Sequence, residues 1–173
     1  MKLFLLISCY TAALTMPTEL ESLGPDLKLK GFIQGDQIIF YVQKNRPGYA
    51  AFGFGRSMAK GDVVVIEHKQ NNLIASDCVL MGDIINPVCT PSVLWVMEEH
   101  VINSDGSWMA RVTRDSSKSG VIPINKKEND IIWAYSDSMD LDPHSGPNAH
   151  RGVNKIQFSQ GRALAQIFSM IFN

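Results

Sequence analysis

A thioether and an imidazole stand where loops meet strands in this sequence. Met58 closes the stretch GYAAFGFGRSM (residues 48–58), and its immediate neighbours are Gly, Arg, Ser, Ala and Lys. A methionine there either plugs an irregular gap or offers its sulfur as a soft donor. His150 opens HRG, just ahead of the run VNKIQF, where it either caps the backbone or offers a ring nitrogen as a ligand. The chain holds eight methionines and four histidines. Met81, Met97, Met109 and Met139 therefore compete with Met58, and His68, His100 and His144 with His150.

Carboxylates gather near the second of these positions. The stretch SDSMDLDPHSGPNAHRG (residues 136–152) carries Asp137, Asp140, Asp142, His144 and His150, and it is too long and polar for a hairpin turn. An EF-hand calcium loop needs Gly at its sixth position and a carboxylate at its twelfth. Counted from Asp140, those positions hold Ser145 and Arg151. A looser metal site is left open beside the plain reading of solvated loop charge.

Motifs for autonomous catalysis are missing. The sequence has no Gly-x-Ser-x-Gly, no nucleotide-binding Gly-rich loop with its Lys, no His-Glu-x-x-His and no Cys-x-x-Cys-His. GFGRSMAKG resembles a phosphate loop only in composition, because a strand-like run and not a helix follows it. The expectation is a protein that is not an enzyme. With a formal charge of −1 and no basic stripe, nucleic acid is not an expected partner.

The elements that must position these residues read as strands. LKLKGFIQ places Leu27, Leu29 and Ile33 on one face and Lys28 and Lys30 on the other. Gly35-Asp36 then leads into QIIFYVQ, a hairpin signal, and KQNN joins DVVVIEH to LIASDCVL in the same manner. In SWMARVTR, Trp108, Ala110 and Val112 alternate with Met109, Arg111 and Thr113. With YAAFGFG, SVLWVMEEHVI, DIIWAYS and VNKIQFS, about nine strands are expected and no amphipathic helix. The fold class is all-β, an antiparallel β-sandwich of immunoglobulin-like architecture over residues 25–160. Within GYAAFGFGRSM, alternation sends Ala50, Phe52 and Phe54 to one face and Ala51, Gly53 and Gly55 to the other. A face of Ala and Gly either packs tightly or admits something flat.

The first stretch, MKLFLLISCYTAALTMP, has a basic Lys2, an apolar run and small residues at 11–13, and residues 1–16 read as a secretory signal. Its removal leaves Cys78 and Cys89 as an even pair in an oxidising compartment, where a disulfide is expected to contribute about 2.5–3 kcal/mol. Residues 161–173 form a short apolar tail, too short to span a bilayer as a helix. It packs as a final strand or short helix, or it belongs to a lipid-anchor signal that places the chain at the cell surface.

Taken together, GYAAFGFG…SMAKGDVVVI, IIWAYSDS and HRGVNKIQF resemble the DOMON domain, and within it the haem-binding branch seen in the cytochrome domain of cellobiose dehydrogenase. The likeness covers residues 25–160. It implies a β-sandwich holding haem b non-covalently, with the axial ligands carried over onto Met58 and His150. Phe54, Trp133 and Tyr135 are then expected as walls of the haem slot, and Arg56 and Arg151 as partners of its propionates. Methionine–histidine ligation leaves no open position on the iron, so the implied role is one-electron transfer. The redox partner would be a separate protein: a membrane b-type cytochrome, a flavoprotein or a copper oxidase. A haem-free member would instead be an extracellular module binding carbohydrate or another ligand.

Overall fold

In the computed structural model, residues 17, 19–57, 59–81, 88–118, 120, 122–137 and 150–160 are described, with backbone alone at 81, 88 and 160. Period-two alternation becomes two sheets, antiparallel throughout except where the two-residue β12 runs parallel to β2, and no helix occurs among the described residues. The strands are β1 (Glu21–Ser22), β2 (Leu27–Gln34), β3 (Gln37–Lys44), β4 (Tyr49–Ser57), β5 (Lys60–Lys69) and β6 (Asn72–Met81). They continue as β7 (Val88–Pro91), β8 (Trp95–Ile102), β9 (Trp108–Asp115), β10 (Glu128–Ser136), β11 (His150–Gln157) and β12 (Ser159–Gln160). One sheet runs β1-β2-β3-β9-β8 with β12 beside β2, and the other runs β11-β10-β4-β5-β6-β7. The chain changes sheet between β3 and β4, between β7 and β8, between β9 and β10, and between β11 and β12.

The nine expected strands are all present, and three short ones join them. Gly35, at φ 62°, turns β2 into β3. Gln70 and Asn71, at φ 51° and 60°, turn β5 into β6 with both central residues left-handed, as a type I′ hairpin requires. Of the three additions, β7 matters most, because it sets Cys89 directly opposite Cys78, and the two form the expected disulfide.

Both faces of the second sheet are apolar, for different reasons. Its inward face contributes Ala50, Phe52, Phe54, Val64, Ile66, Ile131 and Tyr135 to the core, against Leu27, Leu29, Ile38, Phe40 and Val42 of the first sheet. Each large side chain so buried contributes about 1.5–3 kcal/mol. Its outward face gathers Tyr49, Val63, Val65, Cys78, Leu80 and Ile132 around Ala51. Gly53 belongs to that outward side. A Cβ there would come within 2.0 Å of the Asp62 carbonyl oxygen, so the neighbouring backbone itself demands glycine. Close strand-to-strand approach within one sheet, and not packing between sheets, accounts for it.

A buried ion pair ties the sheets together. Arg114 of β9 reaches across to Asp62 of β5 (Nη2–Oδ2 3.4 Å), its guanidinium carbon 5.4 Å from the Phe54 ring centre and 5.2 Å from that of Trp95. Asp62 also accepts the Ile122 N–H at 3.1 Å. Burial pulls the Arg114 guanidinium below its ordinary range, and Asp62 pulls it back up. Removing one member of such a pair leaves a buried charge alone. Asp62→Ala is expected to cost about 3 kcal/mol in urea denaturation, and Asp62→Leu combined with Arg114→Met to recover most of that loss.

Candidate functional site

The site begins with the register of β10. Ile131, Trp133 and Tyr135 face inward beside Phe54, Phe52 and Ala50 of β4. On the other side of β10, Tyr135 pairs with His150, Trp133 with Gly152 and Ile131 with Asn154. Every second residue of β11 thus faces the same way as the β10 aromatics. Gly152 is required there: a Cβ would lie 2.6 Å from Cζ2 of Trp133, whose indole crosses that space and donates its Nε1–H to Asn154 Oδ1 at 2.8 Å.

The rings make a short column. Trp133 and Tyr135 stack at 5.9 Å between centres and 16° between planes, and Tyr135 and His150 follow at 5.0 Å and 30°. Trp133 and Tyr135 are buried whereas His150 is exposed. Among the described residues, neither ring nitrogen of His150 has a hydrogen bond. The histidine therefore presents an imidazole edge to solvent from an aromatic floor.

Charges behind the column fix that floor. Lys44, wholly buried, donates to Asp137 Oδ1 at 3.0 Å, and its Nζ lies 5.1 Å from the centre of the Tyr135 ring. Arg46 joins Asp137 (3.3 Å) to Asp26 (3.4 Å). Burial, aided by the charges of Asp26 and Asp137, pushes the Tyr135 phenol above its ordinary value, so the ring stays neutral. Burial also pushes the Asp137 carboxyl up, but Lys44 and Arg46 outweigh it and hold the group below the usual carboxylate range.

The site residues expected from the sequence do not all meet. Trp133, Tyr135 and His150 do. Arg151 follows His150 on β11 and is exposed, its side of the strand being the outward one. Phe54 lies deeper on the inward face, stacked on Trp95 at 5.7 Å and 16°, with Phe40 and Phe158 around it, so its ring belongs to the core. Arg56 is almost fully exposed and pairs with Asp130 at 3.1 Å, at the other end of β4. Met58 lies outside the described residues, as do Asp140, Asp142 and His144. Its neighbours Ser57 and Lys60 pair to close the β4–β5 hairpin.

That hairpin is remote from His150. Ala50 lies level with Tyr135 and His150, whereas Ser57 ends β4, a separation of roughly 20 Å along the strands. An imidazole or a thioether brings a bound iron to about 6 Å from its own Cα. Tested against a planar iron porphyrin, the described residues therefore supply one donor and an aromatic backing at one end of the sheet, and the Ser57–Lys60 pair that closes the β4–β5 hairpin lies at the other. No group of three or more His, Cys, Asp or Glu suited to a metal occurs among the described residues.

No family model matches the chain, and no curated protein does. Among solved structures, the chain is similar to the cytochrome domain of Myriococcum thermophilum cellobiose dehydrogenase, with a TM-score of 0.59 and 10% identity, over 81% of this chain and 79% of that one. The two share an all-β fold of two antiparallel sheets.

Two outcomes check this geometry. Gly152→Ala should dislodge the Trp133 indole, shift tryptophan emission to longer wavelength and cost about 1–3 kcal/mol, read by fluorescence during urea denaturation. For Asp137, the folded value lies below the unfolded one. Its ion pairs thus contribute fully above the ordinary carboxylate range, and their contribution is lost as pH falls through the folded value. Asp137→Asn should be less stable than the parent at neutral pH and lose less on acidification, measured as urea midpoints at pH 7 and about pH 3.

Proposed function

We propose that this chain is a secreted b-type haem protein, without enzymatic activity of its own, that passes single electrons to and from a separate redox protein. The reading rests on the fold shared with a cytochrome domain, taken together with an imidazole that stands open on a rigid aromatic floor where a loop enters a strand. When bound, haem b supplies a one-electron iron couple.

The chain's own residues take the remaining parts. His150 would hold the iron through a ring nitrogen, and Tyr135 and Trp133 back its imidazole with a stacked aromatic face. Arg151, adjacent in sequence and exposed, pairs with a propionate. Met58, carried over from the resemblance, would hold the iron through its thioether sulfur, a soft donor that would raise its potential. The strand register sets roughly 20 Å between Ser57, which ends β4, and the start of β11. Ligand substitution therefore tests Met58 and His150 separately.

Purified mature protein reconstituted with haem should be red, with a Soret band that sharpens and shifts on reduction. His150→Ala should abolish uptake, while Met58→Ala should lower the potential and weaken retention. Parent protein that takes up no haem overturns the reading. A Met58→Ala spectrum identical to the parent's removes Met58 from the iron and leaves His150 as the ligand under test.

A further inference from the structure

The strand β11 has two unlike halves. From His150 to Lys155 no residue is buried: all are exposed except Gly152, which is half-buried. The end that follows is anchored. Ile156 and Phe158 enter the core, where the Phe158 ring lies 5.7 Å from that of Phe40 and 6.3 Å from that of Phe54. Gly31 makes the notch for it, since a Cβ there would come within 2.5 Å of the Phe158 ring. The Phe158 N–H donates to the Lys127 carbonyl at 2.9 Å, and β12 then pairs with β2 of the other sheet.

What holds the first half is correspondingly slight. It lies at the edge of its sheet, so its backbone ladder runs along β10 alone. Among the described residues its side chains add the His150–Tyr135 stack, the Asn154 oxygen that accepts from the Trp133 indole, and the Lys155–Glu128 ion pair at the surface. An ion pair in water adds little. Segments with few buried apolar contacts and solvent-exposed backbone hydrogen bonds open locally at a free energy well below that of global unfolding. Ile156 and Phe158 set the point at which such opening must stop.

The same half covers two aromatic rings. Gly152 lies against the Trp133 indole, where a Cβ would come within 2.6 Å of Cζ2, and His150 lies against Tyr135. Both rings belong to β10, which β4 holds from its other side along Ile131–Ser136, so they stay in place when β11 lifts. We propose that His150–Lys155 is a strap that opens from β10 about Ile156, and that its opening governs access to the rings of Trp133 and Tyr135. The strap carries His150, yet its opening needs no haem and stands whether or not haem binds.

Native-state hydrogen exchange of the haem-free mature chain tests this, read by NMR in low concentrations of urea. Strap amides bonded to β10 should exchange about a hundredfold or more faster than those of Ile156 and Phe158, at rates that urea scarcely changes. Asn154→Ala, which removes the bond to the Trp133 indole, should speed the strap amides about fivefold and leave Ile156 and Phe158 unchanged. Acrylamide quenching of tryptophan emission should rise in the same variant, because Trp95 and Trp108 are wholly buried and only Trp133 can respond. Strap amides that exchange at the rate and urea dependence of Phe158 overturn the proposal, as does an Asn154→Ala effect shared equally by all of them. Faster strap exchange with unchanged quenching overturns the control of access. No haem is present in any of these measurements, so none of the outcomes bears on haem uptake.

Discussion

Arg114 carries a full charge into the space between two sheets, where only a carboxylate and two aromatic faces receive it. Asp62 comes from the opposite sheet, Phe54 from the strand beside it and Trp95 from the strand beside Arg114 itself. Neither sheet can slide over the other without uncovering that guanidinium, a displacement that a purely aliphatic core would resist less sharply. The pair therefore fixes how β4 and β5 lie over β9, and through the β4–β10 register it fixes where the aromatic column of β10 emerges. Everything at the opposite end of the sandwich, from Lys44 to His150, inherits that alignment.

Both ends of the second sheet carry ion pairs, Arg56 on Asp130 and Lys155 on Glu128 at one and Lys44 on Asp137 and Lys69 on Glu67 at the other. Only the second end adds rings, with Tyr135 and His150 stacked and His68 shielded beside them. A cofactor that used both ends would couple the β4–β5 hairpin mechanically to the start of β11.

Much of this was legible in the sequence. Alternation in LKLKGFIQ and SWMARVTR sorts the buried face from the exposed one because a strand offers two sides and no third. Gly35-Asp36 and KQNN marked two hairpins, and the structure puts the turns within them. The strand β7 left no such trace: it is short, ends in Pro91, and has only Cys89 to betray its pairing with Cys78. Alternation also says that Phe54 and Trp133 share a face without saying how deep each lies, so Phe54 looked like a slot wall when it is the centre of the core. The gap between the Ser57–Lys60 turn and His150 follows from the pairing of β4, β10 and β11, which sequence spacing alone does not contain. His68 could have been found: in VVVIEH it falls on the same parity as Val64 and Ile66, which marks an imidazole pointing inward.

The margins of both sheets are guarded, each by its own device. On one flank, Pro91 withholds a backbone donor and the Cys78–Cys89 link pins the last strand in place. On the other, Arg151 and Lys155 set charge along β11. In the first sheet, β8 bears Glu98 and Glu99 and breaks its ladder with a bulge, while the far margin is broken into two-residue pieces. Such features discourage the addition of foreign strands. A molecule built this way leaves side chains and loop ends as its points of contact, and it resists recruiting copies of itself into fibres.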